Sequence, residues 1–546
     1  MTLTVGQAPH SGAQAGEDGS IPLDLRIAVT GHRKLVGTPA LGTAIDRALD
    51  LIVDQLRPAI RDRCRLVVIS ALADGADRIV ADRILARPGA RLEVILPMTE
   101  ADYVTDFDRA HSLQEFDRLL RKASWAATMP PSPTRQDAYL DAGRAVIDRA
   151  DAAIAIWDGQ PAAGKGGTGD IVGYLREERR PWIWLPVDGG QPVAENLDRL
   201  ADVAWLSMKE PDLARFREFN DARLDGRRFA STINDFRLGV LDTSGVEHVA
   251  DVTMLLSWLQ APLARAELLS KRFQSLYLRL SAMLFAFAAG AVCIVGAQLV
   301  FVPHIRFVVA GEIACLVSIL VGLEWGRRVH LQQRWLSARY LAERLRSAFF
   351  LALIGAEKQS SAAAVFSWNV PVARWVDIAF DMVWMQRPQL DVDRTSVKSL
   401  RDFLSQAWID DQSSYFMTAS ERAGRNYLYC TRAVEALFAL SLVIAIVHMA
   451  LPGPENWGKQ VVSLLAIGIP ACAAALAGYG SQREYHRNAV RYGRMSDSLT
   501  EANELMLAAA DHTEVREIAG TVDRMLRQER GEWFGTAALH DLEVPA

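Results

Sequence analysis

The stretch LSAMLFAFAAGAVCIVGAQLVFV, residues 280–302, carries no charged side chain along its 23 positions. As a helix it is about 35 Å long, enough to cross a hydrocarbon core of about 30 Å. A soluble core helix of that length would normally keep a polar stripe on one face. The chain is therefore read as membrane-embedded, although nearly 280 residues of a different pattern precede the run.

Three further apolar runs follow. FVVAGEIACLVSILVGL (307–323) holds Glu312, AVEALFALSLVIAIVHMAL (433–451) holds Glu435 and His448, and QVVSLLAIGIPACAAALAGYG (460–480) holds Pro470. Short connections around Pro303–Arg306 and Pro452–Lys459 make two hairpins. Lys271, Arg272 and Arg279 precede the first run, and Arg327, Arg328, Arg334 and Arg339 follow the second. Arg422, Arg425 and Arg432 precede the third, and Arg483, Arg487, Arg491 and Arg494 follow the fourth. The positive-inside rule then predicts a multi-pass membrane protein with both termini and the central segment cytoplasmic. The alternative is a pair of buried hairpins in a soluble protein, which the acids in the second and third runs favour more than the first run does.

Composition narrows the choices. With 546 residues, 23% charged side chains and a net charge of −5, the chain gives no support for nucleic-acid binding as its main activity. Cys64, Cys293, Cys315, Cys430 and Cys472 are scattered and form neither a CxxC motif nor a Cys/His cluster, so no metal is expected. Residues 1–22 are rich in Gly, Ala and Ser and lack the apolar core of a secretory signal; they are expected to be a disordered tail.

From Leu23 the pattern alternates between strand and helix. LRIAVTG (25–31), CRLVVIS (64–70), RLEVILP (91–97), AAIAIWDG (152–159) and PWIWLPV (181–187) read as strands of a doubly wound parallel sheet. Ligands of such sheets bind beyond the carboxyl ends of the strands. Candidate contacts cluster there. Gly31, His32 and Arg33 follow the first strand, while Ala73, Asp74, Gly75, Asp77 and Arg78 follow the second, with Asp74 equally a helix cap. Arg135, Tyr139 and Arg144 lie near a helix start before the fourth strand and suit a solvated helix face as well. Asp158 and Gly159 close that strand, where a turn is the plain explanation.

The strongest local signal is Lys165-Gly166-Gly167-Thr168-Gly169-Asp170, running into the helical IVGYLREE. Glycines let a phosphate approach the backbone, and helix-start amides supply donors. The spacing is neither a P-loop nor GxGxxG. A Gly-rich turn without a ligand is the alternative.

VTGHR, SALADGADRI, the stretch PPSPTRQDAYLDAGRAVIDRADAAIAIWDG and GKGGTGD together resemble the SLOG superfamily over residues 23–190. That group is related to the LOG nucleotide hydrolases, to DprA and to the N-terminal sensor region of melastatin-type TRP channels. The resemblance implies a Rossmann-like fold holding a nucleotide-derived ligand, such as an ADP-ribose-like or cyclic nucleotide, and no other cofactor. LOG enzymes carry GGxGTxxE with a working glutamate. Gly173 stands at that position here, and Asp170 lies three residues earlier, so binding without turnover is favoured over hydrolysis.

Tyr277-Leu278 and Tyr427-Leu428 precede the first and third runs, and Arg339-Tyr340 and Arg491-Tyr492 follow the second and fourth. This suggests a unit repeated at about 150 residues. HLQQRWLSARYLAERLRSAFFL (330–351) reads as a continuation of the second run, with Trp335, Arg339, Glu343 and Arg346 on neighbouring helical turns. WIDDQSSYFMTASERAGRNYLY (408–429) leads into the third run. The pattern resembles SLATT-type membrane effector units over about 260–510, which are found fused or adjacent to nucleotide sensors in bacterial conflict systems; the resemblance implies the bacterial inner membrane as the location. Glu312 is either a pore-candidate acid or a hydrogen-bonded packing acid, since a mid-span carboxylate costs about 2.5–3.5 kcal/mol on insertion scales.

The expected organisation is an α/β sensor at 23–190 and a helical connector at 191–265. A two-span unit at 266–355, a helical linker at 356–407, a second two-span unit at 408–510 and a terminal segment at 511–546 follow. The expected activity is a sensor gating a homo-oligomeric pore in antiphage defence, with a tetramer favoured. A membrane-anchored N-glycosidase or phosphoribohydrolase, and a scaffold with an empty fold, are the alternatives.

Overall fold

Leu25, Ile27 and Val29 point to one face of the first strand and Ala28 to the other, and all four are buried. A strand buried on both faces belongs at the centre of a covered parallel sheet. The computed structural model, which describes residues 18–107, 110–162, 164–241, 249–302, 307–356, 374–388, 390, 395–451 and 456–539, places it there. The strands are β1 (Leu23–Gly31), β2 (Cys64–Ser70), β3 (Arg91–Leu96), β4 (Trp125–Thr128), β5 (Ala152–Ile156), β6 (Trp182–Leu185) and β7 (Val193–Glu195). They lie in the order β4-β3-β2-β1-β5-β6-β7, all neighbours parallel except β6 and β7. Helices Pro39–Asp54, Ala76–Leu85 and Ala110–Leu120 pack on one face, and Arg135–Asp148 and Thr168–Glu177 on the other. The change of face falls between β1 and β5. β4 and β7 escape a sequence reading because they are four and three residues long and are not rich in β-branched residues.

Beyond the sheet the described chain is helical. Val249–Phe301 is one helix of 53 residues, about 80 Å long, and it continues past Pro262 as well as through the 280–302 run. Phe307–Arg328, Leu331–Leu353, Arg374–Trp384 and Val397–Leu404 follow, then Asp411–Ala450, Trp457–Gln482, Tyr485–Ala508 and His512–Leu539. Four of the helical stretches are long and apolar enough to cross a membrane. The first span packs mainly against the second and fourth, and the third packs against the fourth. Their outward faces carry exposed apolar side chains such as Leu320 and Leu442, both 63% exposed, as lipid contact requires. Pro470 stands within Trp457–Gln482, which continues past it. Glu312 lies five residues into Phe307–Arg328, about 8 Å from the hairpin end; this is nearer the edge than a mid-span position, and the carboxylate has no partner among the described residues.

Two expectations need correction. The segment 330–351 does not continue the second span, because His330 takes a left-handed conformation (φ 50°) and starts a new helix. The tail is shorter than 1–22, since Asp18–Ile21 are fixed; residues 1–17 lie outside the described residues. The Ile21 amide donates to Asn220 Oδ1 at 2.9 Å, and Asn220 returns a bond to Ile21 O at 2.8 Å. Arg265, fully buried on the long helix, caps the helix ending at Asp221 through Phe219 O, Asn220 O and Ala222 O and also binds Asp18. A cation suits a helix carboxyl end.

The amino ends of the strands meet the helical region in a buried ionic network. Arg65 makes a two-pronged bond to Asp24 at 2.7 and 3.0 Å, and Gln386 Nε2 donates to Asp24 at 2.9 Å. Arg149 pairs with Glu93 at 2.6 Å and bonds Met385 O; Trp125 Nε1 donates to Arg387 O at 3.1 Å. Arg26 lies between Asp24 and Glu93. Arg149 and Arg26 hold the Glu93 carboxyl below its ordinary range despite the opposing effect of burial. Trp258 of the long helix donates to Val383 O at 3.0 Å. The sheet is thereby bonded to the turn after Arg374–Trp384, and that helix rests on Leu331–Leu353 through Arg344, which pairs with Asp377 and stacks on Phe380 at 3.9 Å.

Candidate functional site

A cavity of about 440 Å³ opens at the carboxyl ends of β1 and β5, where the two faces of the fold divide and ligands of doubly wound sheets bind. Three loops build it. After β1, the His32 amide donates to Ile156 O at 3.2 Å, and the His32 carbonyl accepts from Ala76 N at 3.1 Å. Gly75, with φ +79°, makes this docking feasible, because a Cβ there would sit 2.4 Å from His32 O. The Arg33 guanidinium lies over the Tyr139 ring at 4.4 Å. His32 Nε2 is 3.1 Å from Asp158 Oδ1 and accepts from the Asp158 amide at 3.2 Å.

The second loop follows β2. Asp77 is buried, accepts from Ser70 Oγ at 2.7 Å and lines the cavity; burial pushes its pKa up to about 6 against the lowering effect of that bond. Tyr103, also buried and in the lining, has its phenol pKa raised by burial and by Asp77. Leu72 is held at φ 57° by its amide bond to Ser70 Oγ and by Arg78 Nε on its carbonyl. A buried left-handed leucine is backbone strain beside the cavity.

The third loop is the Gly-rich one. Gly166, at φ +82°, brings the chain so close to the Arg135–Asp148 helix that a Cβ would lie 2.7 Å from Leu140 N. Asp170 folds back to accept from the Gly166 amide at 2.9 Å. Thr168–Glu177 begins at the cavity, where the amides of Thr168 and Gly169 have no acceptor among the described residues. Those donors and the helix dipole suit an anionic group such as phosphate.

The lining includes Gly31, His32, Arg33, Ala73, Asp77, Tyr139, Asp158, Gly166, Gly167, Thr168 and Gly169. The remaining sequence candidates serve other purposes. Asp74 and Arg78 pair at 2.7 Å, and buried Arg78 also bonds Ser112 O. Gly75 is the docking turn. Arg135 pairs with Asp106 at 2.7 Å, Arg144 stacks on Tyr174 at 5.3 Å, and Lys165 pairs with Asp137. Gly159 (φ +82°) forms the turn after Asp158, and Asp170 closes the glycine loop. Gly173 faces open space on its helix. Sequence reading missed Tyr103, Trp157 and Gln160 in the lining. Trp157 is flagged only by an aromatic at the end of an Ala/Ile strand, and its indole Nε1 donates to Gln160 O at 2.7 Å. Its ring is largely buried in the core below the second face of the sheet and borders the cavity. Among the described residues no cluster of His, Cys, Asp and Glu is suited to a metal ion. Neither a family model nor a curated protein matches the chain.

Proposed function

We propose that the strand-end cavity binds a nucleotide-derived ligand and that occupancy biases an assembly of the membrane helices toward an open pore. One observation carries the reading: β1 reaches both regions. Its carboxyl end supplies Gly31–Arg33 to the cavity, and Asp24 at its amino end bonds Gln386 beside the helices that follow the second span. The Thr168 helix start would hold phosphate, Arg33 would add charge, and Trp157 and Tyr139 would flank the base or ribose. Ligand acts only through different affinity for the closed and open arrangements.

The SLOG and SLATT resemblances fit this reading and supply the biological setting, membrane damage in bacterial antiphage defence; that setting is an analogy of fold and not of chemistry. Four spans per chain enclose little, so conduction would need several chains in a ring, for which we take a homotetramer. Glu312, without a partner among the described residues of its own chain, would face water or a neighbouring copy there. Both termini would lie on the cytoplasmic side, as the arginine distribution indicates.

A second reading rests on Asp77. A cavity carboxyl with a pKa near 6 suits general acid-base work, so a nucleotide hydrolase is the competing assignment, although Asp170 is engaged by Gly166 and Gly173 has no carboxylate. Isothermal titration of full-length protein with ADP-ribose derivatives and cyclic nucleotides, with mass spectrometry of the recovered ligand, separates the two. The sensor reading requires saturable binding and unchanged ligand.

A further inference from the structure

A second cavity, of about 350 Å³, lies where the connector helix Glu210–Asp221 meets the long helix and Leu331–Leu353. Its volume falls within the range of about 300–1,000 Å³ typical of small-molecule sites. The charged residues in its wall are Arg215, Arg223, Arg272, Arg334, Glu218 and Asp221. The two carboxylates are already engaged: Glu218 by Arg334 at 2.9 Å, and Asp221 by Arg63 at 2.7 Å from outside the cavity. Arg215 donates to the neutral Gln333. Arg272 has a 3.5 Å approach to Arg223 O, and Arg223 has no carboxylate partner among the described residues. Among the described residues, then, three guanidinium groups share a concave site with no carboxylate partner of their own, and Arg223 and Arg272 are open to an entering anion.

Position along the helix narrows the anion. Arg272 stands eight residues before Leu280, where the uncharged run begins, so its Cα is about 12 Å below the hydrocarbon edge. An arginine side chain from there reaches the headgroup layer. Phe273, in the same wall, stacks under Arg334 at 5.7 Å and offers an apolar surface on the membrane side. A basic pocket at the level of the headgroups, beside the ends of membrane-type helices, suits anionic headgroups.

We infer that this cavity is a binding site for a phosphate-bearing anion, supplied by the headgroup of an anionic phospholipid. The site is separate from the strand-end cavity and does not depend on what that cavity holds. An occupant would touch the connector from the α/β domain and the helices flanking the first and second spans together, making lipid a structural tie between them.

The test is native mass spectrometry of full-length protein in detergent, titrated with phosphatidylglycerol or phosphatidylcholine, for the natural chain and for Arg223→Gln/Arg272→Gln. The natural chain is expected to retain phosphatidylglycerol in preference to phosphatidylcholine, with apparent affinity falling roughly thirtyfold in the double variant. Competition with inorganic phosphate or soluble glycerophosphate should displace it weakly. Equal retention of both lipids, unchanged affinity in the variant, or displacement by the soluble anions at matching concentration would overturn the lipid assignment. Should the variant not fold, a photoactivatable phosphatidylglycerol gives the answer on the natural chain: crosslinks at the Arg272 and Gln333 segments support the site, and crosslinks confined to other segments contradict it.

Discussion

His330 and Glu484, 154 residues apart, occupy the same structural position. Each is left-handed, with φ 50° and 47°, and each begins a helix just past a membrane-type span. The amide of each donates to the carbonyl three residues back at 3.0 Å, Arg327 and Ser481 respectively. Around them Tyr277 stacks on Trp335 at 5.4 Å, and Tyr427 on His486 at 4.9 Å. The two halves of the helical region thus share one plan of lead-in helix, hairpin, left-handed break and terminal helix.

The break predicts a stability pattern. A left-handed conformation costs a non-glycine residue about 1–2 kcal/mol, so His330→Gly should raise the thermal midpoint of the detergent-solubilised protein. His330→Val should lower it, because a β-branched side chain tolerates positive φ least. A lowered midpoint for glycine would mean that the imidazole contributes more than the turn costs.

At the strand-end cavity, Arg33→Ala should weaken nucleotide binding by roughly tenfold or more, the loss expected for one charge-assisted contact. Arg135→Ala and Lys165→Ala should stay within about twofold of the natural chain, since both side chains are paired outside the lining. Titration calorimetry distinguishes them. Equal losses at all three would mean the ligand sits on the outer face of the glycine loop.

Asp77 gives a pH signature. Its pKa of about 6 in the folded chain exceeds its unfolded value near 4, so the folded state binds the proton more tightly. Its contribution to stability is therefore present below about pH 4, is lost as pH rises toward about 6, and is flat above. Asp77→Asn should remove this component, gaining on the natural chain by up to about 3 kcal/mol across that window. Midpoints measured from pH 4 to 7 check it, and parallel curves for the two proteins would contradict it.

Glu93 tests the tie between the sheet and the helices. Glu93→Ala leaves Arg26 and Arg149 buried without their shared carboxylate, a change of about 3–5 kcal/mol. Loss of Arg149 orientation should also free the Met385–Arg387 turn. Limited proteolysis is expected to cut near that turn faster in the variant, and an unchanged digestion pattern would show that the turn is held by other contacts.

Much of this was legible before the structure. Long, nearly uncharged runs announce membrane helices because a soluble core helix normally keeps a polar stripe, and strand-end Gly, His and Asp fall beside the cavity because backbone topology places them there. The legible signals were local ones. What depends on partners distant in sequence was not: Arg135 and Lys165 look like ligand contacts until Asp106 and Asp137 are seen to hold them, and Trp157 is core by its burial yet also borders the cavity, which its place at the strand end does not announce. The His330 break carries no glycine or proline to announce it. The Asp24–Gln386 bond joins residues 362 apart, beyond any periodicity.

The most direct test of coupled sensing is ligand addition to the full-length protein in dye-loaded liposomes, with mass spectrometry of the ligand from the same vesicles. The account predicts dye release by one nucleotide-derived ligand, recovery of that ligand intact, and loss of the response in Arg33→Ala. Ligand binding without release, or ligand cleavage without release, would contradict it.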